Sequence, residues 1–141
     1  MSELPLSGRC YCGQVSIAAT AQPIQVTYCH CSDCRRLSGA PVAAFAAFAP
    51  DQVAFSPALG PGKSFSKGVD RWFCSECGTQ LCAQYDYLPG QLYLPLGLLN
   101  QAAELPPTGH SHAASALPWL NIQDDLPRDT ASGRDRLNRD S

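Results

Sequence analysis

Seven of the eight cysteines in this 141-residue chain fall into three short clusters whose spacing suits metal chemistry. Tyr28-Cys29-His30-Cys31-Ser32-Asp33-Cys34-Arg35-Arg36 packs three thiols into six residues, with Cys10-Tyr11-Cys12-Gly13 before it and Cys74-Ser75-Glu76-Cys77-Gly78 after it. Thiolates hold zinc tetrahedrally at about 2.3 Å, so four ligands must converge from short segments. A C-x-x-C followed by glycine makes such a knuckle. A C-x-C on an extended strand points both side chains to one face. Cys10, Cys12, Cys74 and Cys77 together therefore predict a closed four-thiolate zinc site, which is structural because it leaves no position for water or substrate.

Cys29, Cys31 and Cys34 have no fourth cysteine assigned to them. Three protein ligands with one exchangeable position is the pattern of a catalytic zinc, which acts as a Lewis acid or holds a thiolate substrate. Three thiolates make the metal electron-rich, so a soft sulfur suits the fourth position. Two other readings stand beside this one. In the first, the site is closed by Cys82, His30 or another residue. In the second, the trio holds no metal and does redox chemistry. Cys82, flanked by apolar residues on a strand, reads as a small buried hydrophobe. His30 alternates away from its cysteine neighbours and reads as a supporting or surface group. His110-Ser111-His112 is a weak candidate metal pair, or else a solvent-facing loop.

The elements that must position these thiols read as short strands. Residues 8–20 read as strand, turn, strand, and 24–28 as a strand that delivers the central cysteines. Residues 31–37 offer a helical turn. Ala40–Ala49, bracketed by Pro41 and Pro50, reads as a buried strand. Strands at 52–55, 80–85 and 91–96 follow, with a Pro- and Gly-rich loop at 56–63. Trp72, Phe73 and Trp119 are assigned to the core. Residues 1–127 form one zinc-binding domain, and 128–141, dense in charge and poor in apolar residues, read as a disordered tail.

With a net charge of -2 and a pI near 5.8, the chain has no basic stripe for nucleic acid, and no apolar run is long enough to span a membrane. Its first residues lack the basic and apolar regions of a secretory leader, so reduced thiols and a cytoplasmic location are expected.

The three cysteine clusters, with Gly39-Ala40-Pro41, Arg71-Trp72-Phe73 and Thr79, resemble the glutathione-dependent formaldehyde-activating enzyme family, which includes the centromere protein V branch. Leu117-Pro118-Trp119 and Asp124-Asp125-Leu126-Pro127 are similar to its C-terminal signature. The resemblance covers about residues 8–127. It implies a mainly β architecture, the β-tent fold of short stacked antiparallel sheets around a structural zinc. It implies two zinc ions per chain: a structural one on Cys10, Cys12, Cys74 and Cys77, and a catalytic one on Cys29, Cys31 and Cys34. The implied activity is that of a carbon-sulfur lyase, joining glutathione and formaldehyde into S-hydroxymethylglutathione. Where relatives often carry a lysine before the Pro-Trp, this chain has Ala116.

Glutathione bears two carboxylates, which call for cations. Arg35 and Arg36, directly after the central cysteines, are the candidate substrate-binding residues, with Lys63, Lys67 and Arg71 behind them. Two other functions compete with the lyase. One is a zinc-stabilised β module that binds a small thiol or a protein without turnover, and the other is a thiol-based redox or metal sensor.

Overall fold

Two β-sheets account for most of the backbone pairing in the computed structural model, which describes residues 3–139. The first sheet has three strands in the order β1 (Leu6–Arg9), β2 (Ser16–Ala19), β5 (Val53–Ser56). Leu6, Ile17 and Ala19 turn inward while Arg9, Ser16 and Ala18 face out, the period-two alternation of a half-buried sheet. Gly8 brings β1 against the turn at Leu96–Leu98, where a Cβ would run into the Leu98 carbonyl, so only glycine fits.

The second sheet comprises β3 (Gln25–Cys29), β4 (Ala43–Phe48), β6 (Lys63–Ser66), β7 (Val69–Phe73), β8 (Gln80–Tyr85), β9 (Leu92–Pro95) and β10 (His110–Ser111). Its order is β10-β3-β4-β9-β8-β7-β6. All its pairings are antiparallel except β10 on β3, which places His110 beside Tyr28 and Ser111 beside Cys29. The alanine-rich run at β4 is a strand, as its bracketing prolines predicted. Its small residues let a central strand be covered on both faces: Ala46, Ala47 and Phe48 are fully buried. One core joins Leu6, Ile17, Phe48, Leu94 and Leu99 between the sheets. A second gathers Phe45, Leu88, Tyr93 and Leu137 around Cys34.

Between β3 and β4 lies α1 (Ser32–Ser38). Cys31 caps its start by accepting from the Cys34 N–H, and Gly39, at φ 71°, ends it in a left-handed turn that favours glycine. Among the described residues no helix is long and apolar enough to cross a membrane.

Three expectations are corrected. Cys10 and Cys12 lie in the turn after β1, not on an extended strand, and the Cys10 carbonyl accepts from Gly13 N–H at 3.1 Å. Trp119 is 68% exposed and takes no part in the core. The described part of the 128–141 segment is folded: it carries α2 (Arg134–Arg139) and buries Leu137. One leucine seated among aromatic side chains, with Arg136 paired to Asp129 at 2.8 Å, holds a stretch whose average composition reads as tail.

Candidate metal centres and the cavity at the central cluster

The outer cluster is built from two turns. Cys10 and Cys12 come from the β1–β2 loop, Cys74 and Cys77 from the β7–β8 loop. Gly13 at φ 82° and Gly78 at φ 78° each take the left-handed backbone that closes the knuckle. Tyr11 N–H donates to Thr79 Oγ1 at 3.1 Å, locking one turn to the other across the sequence. The four sulfurs lie within 4.8 Å of one another, with Cys10–Cys12 at 3.6 Å and Cys12–Cys74 at 3.8 Å. Four sulfurs at about 2.3 Å from a tetrahedral centre stand roughly 3.8 Å apart, so this donor set fits a zinc ion. Val15 N–H donates to Cys10 Sγ at 3.4 Å, and this backbone donor is the main reason that thiol's pKa is lowered.

The central cluster is more compact. Cys29 ends β3, Cys31 caps α1 and Cys34 sits in its first turn. Cys34 Sγ lies 3.2 Å from Cys29 Sγ, which lies 3.5 Å from Cys31 Sγ. Left as thiols, the three share their protons through close sulfur contacts. The Cys31 pKa is driven far down, first by the sulfur hydrogen bond from Cys29, and the Cys34 N–H adds to this at 3.3 Å. Cys29 is pushed up to about 11, chiefly by its bond to Cys31, and Cys34 is also raised. A divalent cation would relieve that proton sharing, and three soft sulfurs on one side are a donor set suited to zinc. No fourth cysteine, histidine or carboxylate joins them among the described residues. Cys82 packs in the other core, where burial lifts its thiol to about 12.

The three sulfurs form one wall of a cavity of about 210 Å³. Phe45, Tyr85, Tyr87 and Tyr93 pack in the same cluster and line the cavity as well, together with His112, Arg71 and Leu137. Burial is the main reason the pKa values of Tyr85 and Tyr87 are raised, so both are neutral phenols at physiological pH.

His30 turns away from the cavity and begins a buried relay. Its Nε2 lies 2.8 Å from His110 Nδ1, and His110 Nε2 lies 3.0 Å from Asp124 Oδ2. The Asp124 carboxylate is acceptor-only, so His110 carries its proton on Nε2 and accepts at Nδ1 from the His30 Nε2–H. Arg128 closes the relay on Asp124 at 2.8 Å. The central loop is thus pinned to a segment 80 residues away in sequence.

Burial, and next the neighbouring His110, depress the His30 pKa. As pH falls below the ordinary value of 6.5, the unfolded chain takes up a proton that folded His30 resists, so stability is lost on the acid side. Wild type should therefore lose more of its melting temperature than His30→Gln between about pH 7 and 5.5. Parallel losses in the two proteins would show that the relay is not responsible.

Residues 5–115 match the family described as glutathione-dependent formaldehyde-activating enzyme. The chain belongs to that family. The matched span holds all seven clustered cysteines and Arg71, while α2 lies beyond it. A Schizosaccharomyces pombe protein named an uncharacterized lyase is 31% identical over 78 residues, 55% of this chain and 56% of its own. The match therefore spans about half the length of that relative. A crystal structure of a Rhodobacter sphaeroides protein shares the fold at a TM-score of 0.53 and 20% identity, covering 86% of this chain and 98% of its own.

Within the family motif, the structure redistributes the arginines. Arg35 Nη1 donates to the His30 carbonyl at 2.8 Å and to that of Ser115, bracing the loop from outside. Arg36 is exposed, and neither residue lines the cavity. Lys63 and Lys67 are exposed as well. Arg71, the lesser candidate in sequence, is the cation on the cavity wall. His112, read as a loop residue, stands on that wall, and His110 is buried in the relay. The spacing of the H-x-H gave no sign of this, because β10 pairs with β3 only through long-range contact.

Proposed function

We propose that this protein is a zinc-dependent carbon-sulfur lyase acting on a thiol-aldehyde adduct, with S-hydroxymethylglutathione formation from glutathione and formaldehyde as the candidate reaction. The observation that carries the reading is three converging sulfurs on a cavity wall, without a fourth protein ligand among the described residues, in a member of this family. Cys10, Cys12, Cys74 and Cys77 are assigned to a structural zinc, around which the two sheets take the β-tent arrangement. Cys29, Cys31 and Cys34 are assigned to the catalytic one.

A zinc ion bound by that trio supplies Lewis acidity and a place for a thiolate sulfur. The chain's own residues do the rest. Phe45, Leu88 and Tyr93 make the lining beside the sulfurs apolar. Tyr85 and Tyr87, as neutral phenols, supply hydrogen-bond donors suited to a carbonyl oxygen as negative charge develops on it. His112 supplies an imidazole on the same lining to take the thiol proton. The relay through His30 and His110 holds the loop so that the three sulfurs keep their spacing.

The test is exchange spectroscopy of carbon-13-labelled formaldehyde with glutathione, with and without the protein. Adduct exchange should run faster than the spontaneous rate, and mild chelation should remove the acceleration while far-ultraviolet circular dichroism persists. Exchange at the spontaneous rate in protein carrying two zinc ions would favour the non-catalytic binding module instead.

A further inference from the structure

Arg71 is a buried cation in this cavity with no anion to match it. The residue is 5% exposed, and its Nε and Nη1 atoms are buried without a hydrogen-bond partner. Other arginines of the fold have acceptors for their N–H groups: Arg9 and Arg35 donate to backbone carbonyls, Arg128 and Arg136 to carboxylates. Asp124 pairs with His110 and Arg128, and Asp129 with Arg136, and neither carboxylate pairs with Arg71. What Arg71 does have is aromatic: its Cζ lies 5.7 Å from the ring centres of both Phe65 and Tyr85. Those rings orient the guanidinium plane and favour its charge, but they do not receive its N–H groups.

Burying a guanidinium with donors unmet is costly unless something else supplies the missing acceptor. β7 fixes the position, since Arg71 pairs with Lys63 on one side and Ala83 on the other, and its side chain faces the cavity that holds the sulfurs. The one carboxylate on that lining, Asp33, is exposed in the first turn of α1 and forms no ion pair with Arg71. A planar guanidinium with free N–H groups is matched best by a carboxylate.

We propose that Arg71 anchors a carboxylate of the thiol substrate, so that the cavity selects a mercapto-carboxylate: its sulfur at the Cys29–Cys31–Cys34 wall and its carboxylate on the guanidinium. The inference rests on the reading of the cavity as a thiol site. A volume of about 210 Å³ suits a compact acid, or one acidic end of a longer thiol whose remainder lies outside. Arg35 and Arg36, which do not line the cavity, are not needed for this anchor.

The experiment is calorimetric titration of the metal-loaded protein with 3-mercaptopropionate and with its methyl ester, using wild type, Arg71→Lys and Arg71→Met. Wild type should prefer the acid by roughly 10- to 100-fold, the range a charge-assisted hydrogen bond supplies. Arg71→Met should lose that preference while keeping its affinity for the ester, and Arg71→Lys should fall between. Propionate, which has no sulfur, should compete in wild type, and propanol should not. These wild-type comparisons stand even where a variant fails to fold. Equal binding of acid and ester by wild type overturns the anchor and leaves the thiol site intact, as does a preference that survives in Arg71→Met. Failure of both thiols to bind protein carrying two metal ions overturns the thiol site itself.

Discussion

Cys74→Ser is expected to yield a chain with no cooperative thermal transition. Cys74 is 3% exposed, and its sulfur belongs to the one cluster that joins the β1–β2 turn to the β7–β8 turn, 62 residues apart in sequence between Cys12 and Cys74. A structural zinc contributes about 10–16 kcal/mol of apparent binding free energy, and that energy is folding energy. The net stability of a domain is only about 5–15 kcal/mol, so losing the ion removes as much as the whole fold holds. A serine hydroxyl is a hard, weakly acidic donor and does not replace the thiolate. Circular dichroism melting with elemental analysis checks this. A melt within a few degrees of wild type would show that the outer cluster is no more than four buried thiols. Cys82→Ser is the control: its sulfur is equally buried but lies outside both clusters, so it should cost only about 1–3 kcal/mol, the penalty of an unpaired hydroxyl in the core.

Cys31→Ser should give the opposite pattern, a folded protein without turnover. Cys31 has two tasks that serine separates. It caps α1 by accepting from the Cys34 N–H, and serine is among the best residues for that position. It also supplies one of the three clustered sulfurs, and a serine hydroxyl does not replace a thiolate near neutral pH. The helix should stay, one metal ion per chain should be lost, and the rate of adduct formation should fall on the order of 10³-fold or more, to the spontaneous level. Zinc per chain, before and after a mild chelator, is the direct readout: two in wild type with one labile, one in the variant. An unchanged metal content and rate would remove the central cluster from catalysis.

What the sequence revealed, it revealed through short spacings. Two cysteines two or three residues apart come together whatever the rest of the chain does, so the two clusters were legible even though Cys10 and Cys12 lie in a turn and not on a strand. Strand positions were legible for the same local reason, with prolines marking the ends of β4. The residues that were missed depend on distant partners. His110 is buried because β10 runs beside β3, and nothing near it in sequence says so. Arg35 stands next to the metal loop but is turned outward by two backbone carbonyls, while Arg71 reaches the cavity from a strand far along the chain. Leu137 is a lone apolar residue in a charged stretch, and its burial becomes visible only once Phe45 and Tyr93 offer it a seat.

The position of Leu137 on the cavity wall has a consequence for biosynthesis. The central thiols are complete by Cys34, and the residue that covers their flank follows about a hundred positions later. At about 5–20 residues per second, a ribosome takes roughly 5–20 s to bridge that gap. Throughout that interval the nascent loop carries its three sulfurs with the lining of the chamber still incomplete. The proposed zinc can therefore enter from the open side during synthesis, before the last helix docks.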